Sequence, residues 1–319
     1  MHVGDDKKGG YTMKGWRRDK KVFLLLLLAV SALLSTITFI DDAVATEGGG
    51  GAYPNGAEDF MSGALPPPGT YFINYLTYYR ASEFKDKDGD DLIPDFSLDA
   101  VANVFRLIHV TNYQVLGANW GVQAFLPIVY LDVSVPGRDD DRWGIGDVIV
   151  DPFMLGWHSK NWHVTTGIDI FVPVGTYDED RLANAGRNYW TFEPVVAVTF
   201  LSDGGIELSS KFMYDFNTEN EDTDYQSGQE FHFDYTIGYH IDQSWALGLG
   251  GYYYHQTTND EVDGVKVSPD GFKGQVFAIG PQAKYDYKNM SFTLKWQREF
   301  EVENRPEGDK FWLKFMYVF

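Results

Sequence analysis

The chain has 319 residues, no cysteine and a formal net charge of −20 at pH 7. The absence of cysteine excludes disulfides, thiolate catalysis and cysteine-ligated metal sites. The acidic balance argues against nucleic acid as a partner, because a phosphate-binding protein needs a basic face. Aromatic residues make up 16 % of the chain, and with 33 glycines they favour many strands and turns over a helical bundle.

The N-terminal region has the order of a secretory signal peptide. The basic stretch KGWRRDKK (14–21) precedes an apolar run at 22–40, and Ala-Val-Ala at 43–45 offers a cleavage site with small residues. We therefore expect residues 1–45 to be a cleaved signal peptide. An uncleaved membrane anchor is the alternative, because the apolar run is long for a signal.

Two further features follow from the first half of the chain. The start is open between Met1 and Met13, because MKGWRRDKK opens more like a signal than the first residues do. Residues 46–69 are rich in glycine and proline and cannot hold a long regular element. We interpret them as a segment that stays in the periplasm or plugs the lumen of a barrel formed by residues 70–319, for which the evidence follows.

From Thr70 onward, about twelve runs of roughly 10 to 15 residues alternate between apolar and polar positions, which is typical of strands. The predicted strands span 70–82, 98–110, 118–133, 146–158, 162–174, 188–202, 205–217, 229–241, 244–257, 271–287, 290–300 and 310–319. Short connections alternate with long acidic ones at 83–97, 134–145, 175–187, 218–228, 258–270 and 301–309. This alternation is typical of outer-membrane barrels, which have short periplasmic turns and long extracellular loops.

The strand faces differ in chemistry. In the run at 228–241, aromatic and aliphatic residues alternate with His232, Asp234 and His240, so one face suits lipid or a core and the other suits water. A soluble secreted β-protein shows the same alternation. The signal peptide, the strand lengths and the aromatic residues near strand ends favour a membrane barrel.

The sequence therefore predicts an all-β fold, a closed antiparallel transmembrane β-barrel of about 12 strands in the cell outer membrane. Its last run, FWLKFMYVF, ends on Phe319. We expect this strand to close the barrel, with Phe319 on the face toward lipid, and to be the element that the barrel-assembly machinery contacts.

Several segments resemble the family of outer-membrane transporters named after the meta pathway of phenol degradation. They are GGGAYPNGAEDFMSGALPPPGTYFINYLTYYRA (49–81), GIGDVIVDPFMLGWH (144–158) with GIDIFVPVGTYD (167–178), ANAGRNYWTFEPVVAVTF (183–200) and FNTENEDTDYQSGQEFHFDYTIGY (216–239). The resemblance implies an outer-membrane barrel that passes small solutes, including aromatic or hydrophobic compounds.

Charged residues on the polar faces are the candidate site. Alternation predicts that the following side chains face the lumen: His163, Asp169, Glu193, Lys211, Asp215, His232, Asp234, His240, Lys284, Lys295 and Lys314. Such residues either select solutes or brace a narrow barrel through ion pairs. Glu193 and Lys211 lie on adjacent predicted strands and are expected to pair.

No cofactor or firm metal site is predicted. Asp86, Asp88 and Asp90 have the spacing of a calcium loop, but the glycine and the final glutamate of an EF-hand are missing, so they are weak candidates. No catalytic motif is present either. The sequence thus favours a channel or transporter over an enzyme. The alternative is a structural or adhesive barrel whose acidic loops bind cations or partners.

Overall fold

The computed structural model describes residues 50–319, so the predicted signal peptide, its cleavage site and both candidate starts lie outside the described residues. In chain order the strands are β1 (Gly69–Phe84), β2 (Ser97–Val115), β3 (Ala118–Val135), β4 (Arg138–Ile145), β5 (Val148–His158), β6 (Trp162–Val172), β7 (Thr191–Leu201), β8 (Ile206–Asn217), β9 (Glu219–Asn220), β10 (Tyr225–Gln226), β11 (Glu230–His240), β12 (Trp245–Gln256), β13 (Glu261–Val262), β14 (Val265–Lys266), β15 (Gln275–Tyr287), β16 (Met290–Glu303) and β17 (Pro306–Val318). Within residues 50–319, no helix is long and apolar enough to cross a membrane.

Twelve of the described strands form a closed antiparallel barrel: β1, β2, β3, β5, β6, β7, β8, β11, β12, β15, β16 and β17. The ring closes where β1 pairs with β17, with Tyr71 opposite Val318. Closure gives each barrel strand two partners, which satisfies backbone groups that lipid cannot. The predicted closed barrel and its strand number are confirmed. We call the end at which β1 begins and β17 ends the terminus end, and the opposite end the loop end.

The barrel has an apolar exterior and a polar interior. On β11, His232 and Asp234 are almost fully buried, whereas Ile237 is 57 % exposed. On β17, Phe311 and Leu313 are exposed. Other large apolar side chains exposed on barrel strands are Leu76, Leu107, Leu126, Phe212, Tyr239, Leu247, Leu249, Leu294 and Phe300. A belt of this size is stable in lipid and unfavourable in water.

Two stretches predicted as long loops are mostly strand. Within 134–145, β4 continues from β3 as a tight hairpin, with Val135 opposite Arg138. Within 301–309, β16 runs to Glu303 and β17 begins at Pro306. Beyond an apolar belt, outward positions no longer need apolar residues, so alternation disappears from the sequence while the backbone hydrogen bonds of the strands continue.

The predicted loops at 218–228 and 258–270 also contain regular structure. They supply β9, β10, β13 and β14, which pair as a small four-stranded sheet beyond the barrel wall. These two-residue strands have no periodicity that a sequence could display.

Residues 50–68 precede β1 and hold no helix or strand. We call them the lumen segment, because their polar groups bond to inward-facing side chains of the barrel. The segment starts near Glu230 at the loop end, where a Cβ on Gly51 would lie 2.7 Å from Oε2 of Glu230. It reaches the terminus end and continues into β1. Tyr53 and Leu65 join a buried apolar cluster with wall residues.

Candidate functional site

Asp234, predicted to face the lumen, binds the lumen segment with both carboxylate oxygens. The Tyr53 hydroxyl donates to Oδ2 at 2.8 Å, the Gly56 amide donates to Oδ1 at 2.7 Å, and the Glu58 amide donates to Oδ2 at 2.9 Å. Three donors on a carboxylate that is 2 % exposed offset much of the cost of burying its charge.

Two inward lysines, on β16 and β17, hold the same segment. Lys295 Nζ donates to the carbonyl oxygens of Gly56 and Ala57, each at 2.7 Å. It also lies 3.4 Å from Asp59 Oδ2. Lys314 Nζ donates to Asp59 Oδ1 at 2.6 Å. Asp59 therefore balances two lysines on neighbouring strands.

A chain of polar contacts leads from the segment across the lumen. Arg106 donates to Glu58 at 2.8 Å and to Gln123 at 2.6 and 2.9 Å. Gln123 donates to Asp169 at 2.9 Å, and Asp169 accepts from Lys211 at 3.2 Å. The network spans β2, β3, β6 and β8, so it braces one half of the barrel.

The segment is also bound near the terminus end. The Met61 amide donates to Glu207 Oε1 at 2.6 Å, and His240 Nε2 lies 2.6 Å from Glu207 Oε2. Phe60 packs where β11 has Gly238, and a Cβ there would lie only 2.6 Å from Phe60 Cε1. The glycine therefore makes room for the phenyl ring.

A cavity of about 300 Å³ lies beside the lumen segment in the loop-end half. Its two sides differ. Apolar side chains from β2 and β3 form one side: Leu98, Ala100, Ala102, Val104, Phe125, Val129 and Leu131. The rest of the lining is mixed, because Tyr75, Phe171 and Trp312 stand there among charged residues: Glu58, Asp147, Asp169, Arg187, Lys211, Glu299, Arg305 and Lys310.

The structure divides the predicted lumen residues into groups. Asp234, Lys295 and Lys314 bind the lumen segment, and Asp169 and Lys211 belong to the Arg106 network. Glu193, Asp215 and His232 converge on one another in the wall. Nearer the terminus end, His240 contacts Glu207, Lys284 lies 2.8 Å from Asp286, and His163 faces His158.

The expected pair of Glu193 and Lys211 is looser than the sequence suggested. Lys211 Nζ is 3.6 Å from Glu193 Oε1 and 3.2 Å from Asp169 Oδ2, and its hydrogen bond goes to Asp169. The register sets Ala197 opposite Lys211, so Glu193 lies four residues away along β7, which is two repeats of the pleat.

The aspartates at calcium-loop spacing shape a turn. Asp86 Oδ1 accepts the backbone amides of Asp88 and Asp90 at 2.8 and 3.0 Å, and Asp88 pairs with Lys87. Within residues 50–319, these three carboxylates do not form a group of converging ligand atoms.

The sequence analysis did not identify several charged residues that face inward. Arg106 lies on a predicted strand but breaks a mostly apolar face, and Asp59 belongs to a segment with no periodicity. Glu299 and Lys310 lie at the ends of the predicted strands 290–300 and 310–319 and were not named as candidates. They face inward, where the Tyr79 hydroxyl donates to Glu299 at 2.7 Å and Lys310 donates to the Asn55 carbonyl at 3.0 Å. The sequence offered one signal that Arg106 is a functional residue, namely a charged residue on a strand face that is otherwise apolar.

Outside the barrel wall, Asp140 on β4 anchors the connection between β6 and β7. Its carboxylate accepts hydrogen bonds from the Arg181 guanidinium and from the amides of Leu182 and Ala183. The Arg181 hydrogen bond is the main cause that lowers the pKa of Asp140 to about 2, and the Ala183 amide adds to it.

The family described as "Putative MetA-pathway of phenol degradation" matches residues 81–315. The chain belongs to this family. The match covers most of the barrel, so the resemblance found in the sequence is confirmed. No curated protein sequence matches the chain.

A solved outer-membrane channel has the same fold as this family member. The chain is similar to the COG4313 outer membrane channel from Pseudomonas putida F1, with 19 % identity, a TM-score of 0.73, and 82 % of this chain and 98 % of that chain covered. It also matches the CymD monoaromatic hydrocarbon channel (9 % identity, TM-score 0.41, 79 % and 89 % covered). A third match is a Pseudomonas aeruginosa FadL homologue (10 % identity, TM-score 0.41, 88 % and 98 % covered).

Proposed function

We propose that this protein is an outer-membrane channel for small solutes and that the lumen segment occludes its path. The closed barrel with an apolar exterior fits the cell outer membrane. The observation that carries the proposal is the cavity beside the segment, because an interior space lined by apolar and aromatic side chains with several charged groups suits a small ring that bears a polar group.

The proposed solutes are aromatic or hydrophobic compounds, in line with the family description. On this reading the inward charges have two roles. Asp169, Lys211 and Glu58 border the cavity and would orient a polar substituent. Asp234, Lys295 and Lys314 would hold the segment closed. We further propose that periplasmic assembly factors contact the last strand through its Phe319 end.

Transport is proposed in preference to catalysis. His232 and Asp234 share one strand face, and an enzyme would need one to orient the other toward a nucleophile. In this chain Asp234 is bound to Tyr53 and two backbone amides, while His232 Nε2 points toward Glu193 and Asp215. The two residues therefore serve different neighbours.

Planar-bilayer conductance tests the proposal. Wild-type protein should conduct sparsely, and the double variant Asp59→Asn/Asp234→Asn should conduct more, since both carboxylates that hold the segment lose their charge. Asp286→Asn is the matched control, because Asp286 pairs with Lys284 away from the segment. Wild-type and double-variant bilayers that both stay silent, with normal uptake of aromatic compounds in a deletion strain, would contradict a channel.

The second candidate is a structural or adhesive barrel with cation-binding acidic loops. It is favoured by the density of contacts that hold the lumen segment inside the barrel, such as those of Asp234 and Lys314. A silent double variant together with loss of surface attachment in the deletion strain would support it.

A further inference from the structure

Three buried side chains on three neighbouring strands converge in the barrel wall. Glu193 lies on β7, Asp215 on β8 and His232 on β11, and each is fully buried. The register that pairs Phe192 with Phe216 sets Glu193 beside Asp215. One ligand atom from each of the three side chains lies within 4.8 Å of the other two. We call these residues the wall triad.

None of the side-chain oxygen and nitrogen atoms of the wall triad has a hydrogen-bond partner among residues 50–319. His232 Nε2 nevertheless faces both carboxylates, at 3.3 Å from Asp215 Oδ2 and 3.6 Å from Glu193 Oε2. Buried polar groups are normally satisfied, because desolvation of a charged group without a partner is strongly unfavourable. The triad therefore needs a further positive charge or a hydrogen-bond donor.

The neighbouring cations do not meet this need. Lys211 Nζ is 3.6 Å from Glu193 Oε1 and donates its hydrogen bond to Asp169. Glu230, on the same strand face as His232, adds another buried carboxyl group nearby. Arg187 and Arg305 lie near Glu230, and Lys211 is shared between Asp169 and Glu193, so the triad keeps an excess of negative charge.

The geometry points to a metal ion. Ligand atoms bound tetrahedrally at about 2.1 Å from a metal lie roughly 3.4 Å from one another. The separations of 3.3 and 3.6 Å between His232 Nε2 and the two carboxylates bracket that value. We propose that Glu193, Asp215 and His232 bind one divalent metal ion of borderline softness, such as Zn²⁺ or Co²⁺.

The donor set disfavours Ca²⁺ and Cu⁺. One imidazole with two carboxylates lacks the six to eight oxygens that Ca²⁺ takes, and it lacks the thiolates or thioethers that select Cu⁺. The Tyr53 ring of the lumen segment packs beside the site, and its centroid lies 5.0 Å from that of the His232 ring. An ion held there would stiffen three wall strands beneath the lumen segment.

Cobalt titration tests the site with a spectroscopic readout. An exposed pair, His158 and His163, has ring nitrogens 3.0 Å apart and can chelate metal at the surface. The measurement is therefore made on the full mature chain carrying His158→Ala and His163→Ala, purified in detergent and stripped with EDTA. We expect one equivalent of Co²⁺ per chain with a visible d–d absorption band, and competition of that band by Zn²⁺.

Adding His232→Ala to this background should abolish the band, and Asp215→Asn is the second variant. Each variant is first checked for the heat-dependent gel mobility of a folded barrel, and whichever folds decides the result. A background protein that binds no cobalt would overturn the proposal and favour a proton shared by the two carboxylates. An unchanged band in the folded variants would overturn it as well.

Discussion

Lys314 in the last strand and Asp59 in the lumen segment form a buried ion pair, with Nζ 2.6 Å from Oδ1. The two residues are 255 positions apart in the chain. Lys295 reaches the other oxygen of Asp59 at 3.4 Å. One carboxylate therefore ties the segment to two strands, β16 and β17.

Replacing Asp59 by Asn should destabilise the closed arrangement by about 3–5 kcal/mol, because two buried lysines lose their counter-charge. Lys314→Met should cost less, since Asp59 keeps Lys295. The measurement is urea unfolding followed by gel mobility. In the double variant Asp59→Asn/Lys314→Met, the total cost should fall below the sum of the singles by about 0.5–3 kcal/mol. Additive costs would mean that the pair contributes nothing.

Arginine on the exterior should be tolerated poorly. Ile237 is 57 % exposed on β11, and Ile237→Arg should cost about 2–4 kcal/mol if the residue lies at the bilayer midplane. Ile237→Leu is the control, because it removes the isoleucine side chain without adding a charge. Refolding equilibria into lipid vesicles give both values. Equal stability of the two variants would contradict a lipid-facing position.

The neighbouring position tests the interior. Gly238→Ala should displace Phe60, because the new Cβ would lie 2.6 Å from Phe60 Cε1. Pairing it with Phe60→Ala should restore most of the lost stability by removing the clash. Conductance should rise in Gly238→Ala if Phe60 helps to hold the lumen segment. Failure of Phe60→Ala to rescue would show that the clash lies elsewhere.

The acidic segment at 218–224 should bias ion flow. Neutralising its four carboxylates, Glu219, Glu221, Asp222 and Asp224, should lower the cation preference of the channel without abolishing conductance. In wild type the preference should fall as salt rises, since the Debye length is only about 10 Å at 0.1 M. Asp203→Asn/Asp242→Asn, in turns at the terminus end, should change the preference less. Reversal potentials measure the effect.

Acid should release the connection between β6 and β7. The folded-state pKa of Asp140, about 2, is below the ordinary value of 3.8 for an aspartate. Its stabilising contribution is therefore complete above pH 3.8 and is lost as the pH falls through 2. Hydrogen exchange at the Leu182 and Ala183 amides, corrected for intrinsic rates, should speed up over that range.

At neutral pH, Asp140→Asn should reproduce the acid effect. Trypsin should then cut faster after Arg181, because the variant loses the charged partner of that guanidinium. Asp139→Asn is the control, since Asp139 contacts Ser134 within the β3–β4 hairpin. Equal cleavage rates of the two variants would contradict the role of Asp140 as the anchor of the connection between β6 and β7.

The sequence by itself determined the barrel. Alternation along β11 and β17 sorted Ile237 and Phe311 to the exterior and His232, Asp234 and Lys314 to the interior, because a strand repeats every two residues. That period depends only on local backbone geometry. It also limited the prediction: where outward residues turn polar, as in 134–145 and 301–309, the strands continue through backbone hydrogen bonds that no side-chain pattern reports.

Tertiary structure alone decided which inward charges meet. The two-residue alternation along each strand predicts that Glu193, Asp215 and His232 face the lumen. Whether they converge depends on the register of three strands. The partner of Lys211 is Asp169 for the same reason. Asp59 and Glu58 lie in a segment without periodicity, so only its path through the lumen brings them to Lys314 and Arg106. Contacts between residues distant in sequence are fixed by closure of the ring, which is a property of the whole chain.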